Sequence, residues 1–92
     1  MKIISINVPS QNELEIEIEG ETHTLGSMLS KELLLMEEVD VAYYVQEHPL
    51  KNVIKLYVKT KEGYSPFDIL EKAVERLKHK LNEIEKEIEK AL

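Results

Sequence analysis

Apolar residues recur at alternating steps of three and four along the last 27 residues of the chain. This spacing predicts one continuous helix with a single apolar face. Ser65 is the expected N-cap, Pro66 suits the first helical position, and Asp68 completes a capping box. The apolar face consists of Phe67, Leu70, Val74, Leu77, Leu81, Ile84, Ile88 and Ala91. We expect the first four of these to cover a sheet.

The predicted helix is longer than any sheet that a chain of 92 residues is expected to form. A helix of 26 residues spans about 39 Å, whereas strands in small domains rarely exceed ~20–25 Å. The distal residues Leu81, Ile84 and Ile88 should therefore extend beyond the sheet. We expect another chain to cover them, and the alternative is a frayed tail over Ile84–Leu92.

Four shorter segments have the period of two that is typical of strands. In the second, Leu14, Ile16 and Ile18 should face inward and the intervening glutamates outward, because one side of the sheet is wet. In the first, Ile4, Ile6 and Val8 should share one side. In the fourth, Ile54, Leu56 and Val58 form the expected inner set. The four predicted strands are Ile3–Val8, Leu14–Glu19, Val39–Gln46 and Val53–Thr60.

A first helix is predicted over about Leu25–Glu37, capped by Thr22 or Thr24. Its apolar residues cover a broad arc, which indicates burial on two sides. Gly26 would suit a close approach of another backbone. The element order β-β-α-β-β-α predicts one α+β domain over residues 1–92, with two helices on one face of a four-stranded, largely antiparallel sheet.

Composition and charge exclude several classes of function. The chain has no cysteine, which rules out disulfides and thiolate metal sites. Its net charge of −6 argues against general nucleic-acid binding, which depends on Lys and Arg. We find no apolar run long enough to span a membrane and no signal-peptide pattern, so we expect a soluble, cytoplasmic protein.

Residues that suggest catalysis or metal binding each have a simpler interpretation. His23 with Thr24 and Ser27 fits a helix start better than a nucleophile site. His79, four residues from Glu75 and from Glu83, favours solvated ion pairs with Lys78 and Lys80 nearby over a metal site. The row of glutamates in Leu14–Glu19 is typical of a wet sheet face rather than of an acid/base pair.

A row of lysines on the outer face of the fourth strand is the only feature that suggests nucleic-acid binding. Tyr57 lies among them, and the row comprises Lys51, Lys55, Lys59 and Lys61. We favour cross-strand pairing with the glutamates, because the overall charge is negative. The alternative is contact with another subunit.

Several short elements together resemble a known family. They are His23-Thr24-Leu25-Gly26 with Leu29, Ala42-Tyr43-Tyr44 leading to His48-Pro49-Leu50, and Pro66 with Leu70, Ala73 and Leu77. In this order and spacing, they resemble the small assembly subunits of cellular RNA polymerases. That class includes archaeal subunit L, the eleventh-subunit class of eukaryotic polymerase II and the amino-terminal domain of bacterial alpha. Ser27 and Tyr43 depart from the common pattern.

The resemblance implies a non-catalytic role without a cofactor. Such subunits pair with a larger homologue, which in archaea is the D polypeptide of the RNA polymerase. The two chains form an alpha-like heterodimer on which the catalytic subunits assemble. Further implied partners are the small zinc-binding subunits N and P and the large catalytic subunits. The His48 loop is expected to have a turn role, with a partner contact as the alternative.

We therefore hypothesise an apolar dimer interface on the two helices, formed by Leu25, Met28, Leu29, Leu77, Leu81, Ile84 and Ile88. The alternative function is a stand-alone homodimeric module that binds a small ligand or acts as a regulator.

Overall fold

The structure is a computed structural model that describes residues 2–20, 23–46 and 52–92. Its elements follow the predicted order β-β-α-β-β-α. They are β1 (Lys2–Ser10), β2 (Glu13–Glu19), α1 (His23–Leu34), β3 (Val39–Gln46), β4 (Val53–Thr60) and α2 (Pro66–Ala91). The α+β fold class is confirmed.

The four strands form one antiparallel sheet in the order β1-β2-β4-β3. Leu14, Ile16 and Ile18 of β2 lie opposite apolar residues of β4, and both sets are buried beneath the helices. The alternation predicted for these strands is confirmed. The β4 partners, in register, are Val58, Leu56 and Ile54.

The register of β1 differs from the predicted strict alternation. Ile3 lies opposite Ile18 and Ile6 lies opposite Ile16, with a register shift between Ile3 and Ser5. Directly opposed residues of antiparallel strands share a face. The bulge adds one residue between Ile3 and Ile6, so that these two side chains lie on the same face of the sheet. The sequence pattern had placed Ile4 on that face instead of Ile3.

On β3 the small and aromatic residues face the helices. Ala42 lies opposite Val58 and is buried, and Tyr44 lies opposite Leu56 and is partly buried. The other set, Val41, Tyr43 and Val45, is exposed. The more hydrophobic half of this strand therefore faces away from the core.

Helix α1 is shorter than predicted, because it ends at Leu34 and is followed by a turn. The amide N–H groups of Leu35 and Met36 donate to the carbonyls of Glu32 and Leu33, three residues back. Thr24 lies inside the helix and is not its N-cap, while Thr22 lies outside the described residues.

The close neighbour of Gly26 is an aromatic ring and not the predicted backbone. A Cβ atom on Gly26 would stand 2.6 Å from Cγ of Tyr44 and 3.1 Å from Cδ1 of Ile54. The absence of a side chain allows α1 to pack directly against β3 and β4.

The N-cap and the first-turn proline of helix α2 are as predicted. The Ser65 hydroxyl accepts a hydrogen bond from the Asp68 amide at 3.4 Å, and Pro66 occupies the first turn. Of the four residues predicted to cover the sheet, Leu70, Val74 and Leu77 are partly buried against the core, whereas Phe67 is exposed. The fully buried residues of this helix are Pro66, Ile69 and Ala73. The small side chain of Ala73 permits close packing, a role that the spacing of large apolar residues does not show.

Candidate partner interface

The distal part of α2 extends beyond the rest of the domain with an apolar row exposed. Leu81, Ile84 and Ile88 are 52%, 55% and 56% exposed. Residues 78–92 are all exposed. Large apolar side chains clustered on one surface mark an interaction site more often than isolated ones do.

An apolar groove of about 530 Å³ adjoins this row. Leu81 belongs to both surfaces, so the groove and the exposed row are continuous. The groove runs between the two helices and the β1–β2 half of the sheet. Its lining consists of Lys2, Ile3, Ile16, Ile18, Leu25, Met28, Leu29, Leu56, Leu70, Val74, Leu77, Lys78 and Leu81.

The structure places the seven predicted interface residues in two environments. Leu25, Met28, Leu29 and Leu77 line the groove, together with Leu81. Among these, Leu29 is only 6% exposed, so most of its side chain is already in the core of the domain. Ile84 and Ile88 continue the surface along the free part of α2. The interface assignment stays a prediction, and these positions are consistent with one contiguous surface.

A buried acidic residue holds α2 to α1. Glu32 of α1 is 3% exposed and accepts hydrogen bonds from Arg76 Nε at 2.8 Å and Lys80 Nζ at 2.7 Å. The hydrogen bond from Lys80, supported by Arg76, holds the pKa of Glu32 below its usual value, although burial acts in the opposite direction. Since both cations lie on α2, the carboxylate joins the two helices.

The elements that carried the family resemblance meet in space where they are described. The Tyr44 hydroxyl lies 3.2 Å from His23 Nδ1, and the two rings meet edge to face at 5.8 Å. The same ring covers Gly26. His48-Pro49-Leu50, to which the Ala42-Tyr43-Tyr44 element leads, lies outside the described residues.

The outer face of the sheet pairs lysines with glutamates across strands, as predicted. Glu13 lies opposite Lys59 and Glu17 lies opposite Lys55. Lys55 Nζ is 3.7 Å from Glu15. Lys51 lies outside the described residues.

Tyr57 lies among these charges and donates a hydrogen bond of 2.7 Å to Glu13. That hydrogen bond raises the pKa of Tyr57 to about 12 and lowers the pKa of Glu13. Tyr57 also stacks on Tyr43 with a centroid distance of 5.1 Å. The hydroxyl thus serves as a cross-strand contact.

The residues weighed for chemistry have local partners. His79 Nε2 lies 2.8 Å from Glu83 on the exposed side of α2, and Lys78 lies 3.6 Å from Glu75. Within residues 2–20, 23–46 and 52–92, no group of three or more potential metal ligands is found. Neither helix in this part of the chain combines the length and apolar content needed to cross a membrane.

Two features of this region did not emerge from the sequence. Ile3 lines the groove because of the bulge in β1, and no local sequence pattern predicts this bulge. Glu32 interrupts the apolar arc of α1 immediately before Leu33, and a charged residue on a buried arc was a usable signal of a buried ion pair.

Comparison with known proteins agrees with this geometry. The family model described as the RNA polymerase Rpb3/Rpb11 dimerisation domain matches residues 13–87. The DNA-directed RNA polymerase subunit Rpo11 of Korarchaeum cryptofilum is 44% identical over 80 residues, which cover 87% of this chain and 81% of that protein. Rpo11 of Saccharolobus solfataricus is 39% identical over 85 residues, which cover 88% and 92%.

A solved structure shares the whole arrangement. The crystal structure of DNA-directed RNA polymerase subunit L from Thermoplasma acidophilum superposes with a TM-score of 0.80 at 26% identity. The match covers 94% of this chain and 84% of that one. The chain therefore belongs to the Rpb3/Rpb11 dimerisation-domain family of RNA polymerase subunits.

Proposed function

We propose that this protein is a non-catalytic assembly subunit of a cytoplasmic DNA-dependent RNA polymerase. It forms an alpha-like heterodimer with the larger homologous D polypeptide, and the dimer supports assembly of the catalytic subunits. Subunits N and P are further partners of the same assembly. The active site lies in other subunits. The family match to a dimerisation domain supports this proposal.

The exposed row Leu81, Ile84 and Ile88 carries the proposal. Each side chain keeps more than half of its surface in water, although the helix that bears it is otherwise regular and capped. Fully burying such a side chain stabilises by about 1.5–3 kcal/mol. A partner that covered this row and the adjoining groove would gain that free energy without first reorganising the domain.

The charges beside the row favour a different partner over a second copy. Residues 81–92 contain four glutamates and two lysines, which leaves a formal charge of −2 by subtraction. Two identical distal helices brought side by side would repel each other. A homologous partner with basic residues at this position would be attracted instead.

Co-expression with an archaeal D polypeptide tests the proposal. Leu81→Asp places one negative charge in the apolar row, and we expect the affinity for the D polypeptide to fall by about a hundredfold. Asn82→Asp adds the same charge at the neighbouring exposed position, about 100° around the helix, and serves as the matched control.

Gel filtration of the purified proteins distinguishes the outcomes. The proposal predicts a 1:1 complex for the unmodified chain and for Asn82→Asp, and separate peaks for Leu81→Asp. Retention of the complex by Leu81→Asp would place the interface elsewhere. A tight homodimer that excludes the D polypeptide would instead support the stand-alone module.

A further inference from the structure

A row of three cations runs along α2 beside its apolar face. Lys72, Arg76 and Lys80 are spaced four residues apart, so they lie on one side of the helix. Lys72 Nζ is 3.6 Å from Glu38, and the other two both reach Glu32. The row therefore faces α1 and the turn after it.

The ion pairs of Glu32 lie where α2 leaves the domain. Ala73 is the last buried residue of α2, and Leu77 is its last partly buried one. Beyond Lys80, the ion pair of Lys90 with Glu87 lies within the helix itself. Lys80 is thus the most distal residue of α2 with a described ion pair to another element.

We propose that Glu32 is a positioning residue for partner binding. By holding Arg76 and Lys80, it fixes the direction in which the free half of α2 projects, so that Leu81, Ile84 and Ile88 stay aligned with the groove. This inference rests on the proposed function, because it assigns Glu32 a role in presenting the surface that the D polypeptide would cover.

The geometry of the contact is suited to this role. Apolar packing alone is non-directional and allows a helix to roll or slide. Here Oε2 of Glu32 accepts from Arg76 and Oε1 accepts from Lys80, one helical turn further along. Two charge-assisted hydrogen bonds to separate oxygens define both the roll and the position of the helix. A surface held in its binding geometry loses less entropy when the partner docks.

The direction of α2 can be measured in the isolated chain. The sequence has no cysteine, so Lys59→Cys on β4 and Glu89→Cys on α2 provide two unique spin-label sites at exposed positions. In this labelled background, we expect Glu32→Gln to broaden the distance distribution between the labels. Lys86→Met changes an exposed cation on α2 away from the apolar row and should leave the distribution unchanged. If Glu32→Gln prevents folding, Lys80→Met tests the same contact from its exposed end.

Affinity for the D polypeptide is measured in parallel without labels. We expect Kd to rise about tenfold in Glu32→Gln and in Lys80→Met and to stay unchanged in Lys86→Met. An unchanged label distribution in the first two variants would overturn the inference. A broadened distribution with unchanged Kd would also overturn it. If Leu81→Asp still formed the complex with the D polypeptide, the interface assigned in the proposed function would be wrong, whatever the labels reported. If the unmodified chain formed no complex with the D polypeptide, the proposed function itself would fail.

Discussion

The ring of Tyr44 fills the space that a side chain at Gly26 would need. An added Cβ would stand 2.6 Å from Cγ and 2.7 Å from Cδ2 of the ring. The Tyr44 hydroxyl then reaches His23 at the start of the same helix. One aromatic residue of β3 thus fixes the first turn of α1 at the edge of the groove that we assign to the partner.

Gly26→Ala should destabilise the protein even though alanine is the better helix former. The gain in helix propensity is about 1 kcal/mol, and overpacking against a rigid ring costs typically ~1–3 kcal/mol. We expect a net loss of about 1 kcal/mol in the free energy of unfolding, measured by urea denaturation.

Ser27→Ala is the matched control, because it places a better helix former at the neighbouring position, about 100° around the helix from Gly26. It should leave the stability unchanged or raise it slightly. A Gly26→Ala protein that is more stable than the unmodified chain would show that Tyr44 moves aside at little cost.

Two isoleucines of α2 should respond differently to truncation. Ile69 is in the core, so Ile69→Ala should lower the free energy of unfolding by about 2–4 kcal/mol at every protein concentration. Ile84 is exposed, so Ile84→Ala should change the dilute chain by less than about 0.5 kcal/mol. Thermal unfolding over a range of concentrations measures both. Equal losses in the two variants would contradict the exposed position of Ile84.

The Tyr57–Glu13 hydrogen bond should make stability fall at alkaline pH. The pKa of Tyr57 is raised from 10.0 to about 12 in the folded protein. The contribution of this hydrogen bond to the free energy of unfolding is therefore present below about pH 10 and is lost as the pH rises towards about 12. Chemical denaturation across this range should show a smaller loss in Tyr57→Phe than in the unmodified chain.

Tyr64→Phe provides the comparison, since no described hydrogen bond involves the Tyr64 hydroxyl. It should keep the alkaline loss of the unmodified chain. An identical loss in Tyr57→Phe would show that the Glu13 contact does not contribute in solution.

The Glu32 ion pairs should weaken in acid. In the folded protein, the pKa of Glu32 is lowered from its ordinary value of 4.5. The contribution of its ion pairs to the free energy of unfolding is therefore present above pH 4.5 and is lost as the pH falls through the lowered pKa of the folded state. At neutral pH, Glu32→Gln should be less stable by about 2 kcal/mol, because the carboxylate is buried while its partners are half exposed. The difference between the two proteins should shrink below pH 4.5. A difference that stays constant down to about pH 2 would contradict this assignment.

Much of the fold could be predicted from periodicity. The alternation of Leu14, Ile16 and Ile18 identified both β2 and its buried face, and Ser65-Pro66 marked the start of α2. These signals are local, since each depends only on neighbours in the chain. The family resemblance added a role that no spacing could supply.

The remaining details depend on contacts between elements that are distant in sequence. The bulge that turns Ile3 towards the groove depends on the pairing of β1 with β2. The burial of Ala73 instead of Phe67 depends on how closely α2 approaches the sheet. Likewise, Glu32 and Lys80 are 48 residues apart, so neither residue reveals the other in the sequence.

The central claim is that the D polypeptide covers the free half of α2, and amide hydrogen exchange of residues 81–91 tests it most directly. In the isolated chain these residues lack described ion pairs to other elements, so their amides should exchange rapidly by local opening. In the complex with the D polypeptide, we predict that the exchange of these amides slows at least about tenfold, while the already protected amides of β2 and β4 change little. Equal exchange of residues 81–91 in the free chain and in the complex would contradict the claim.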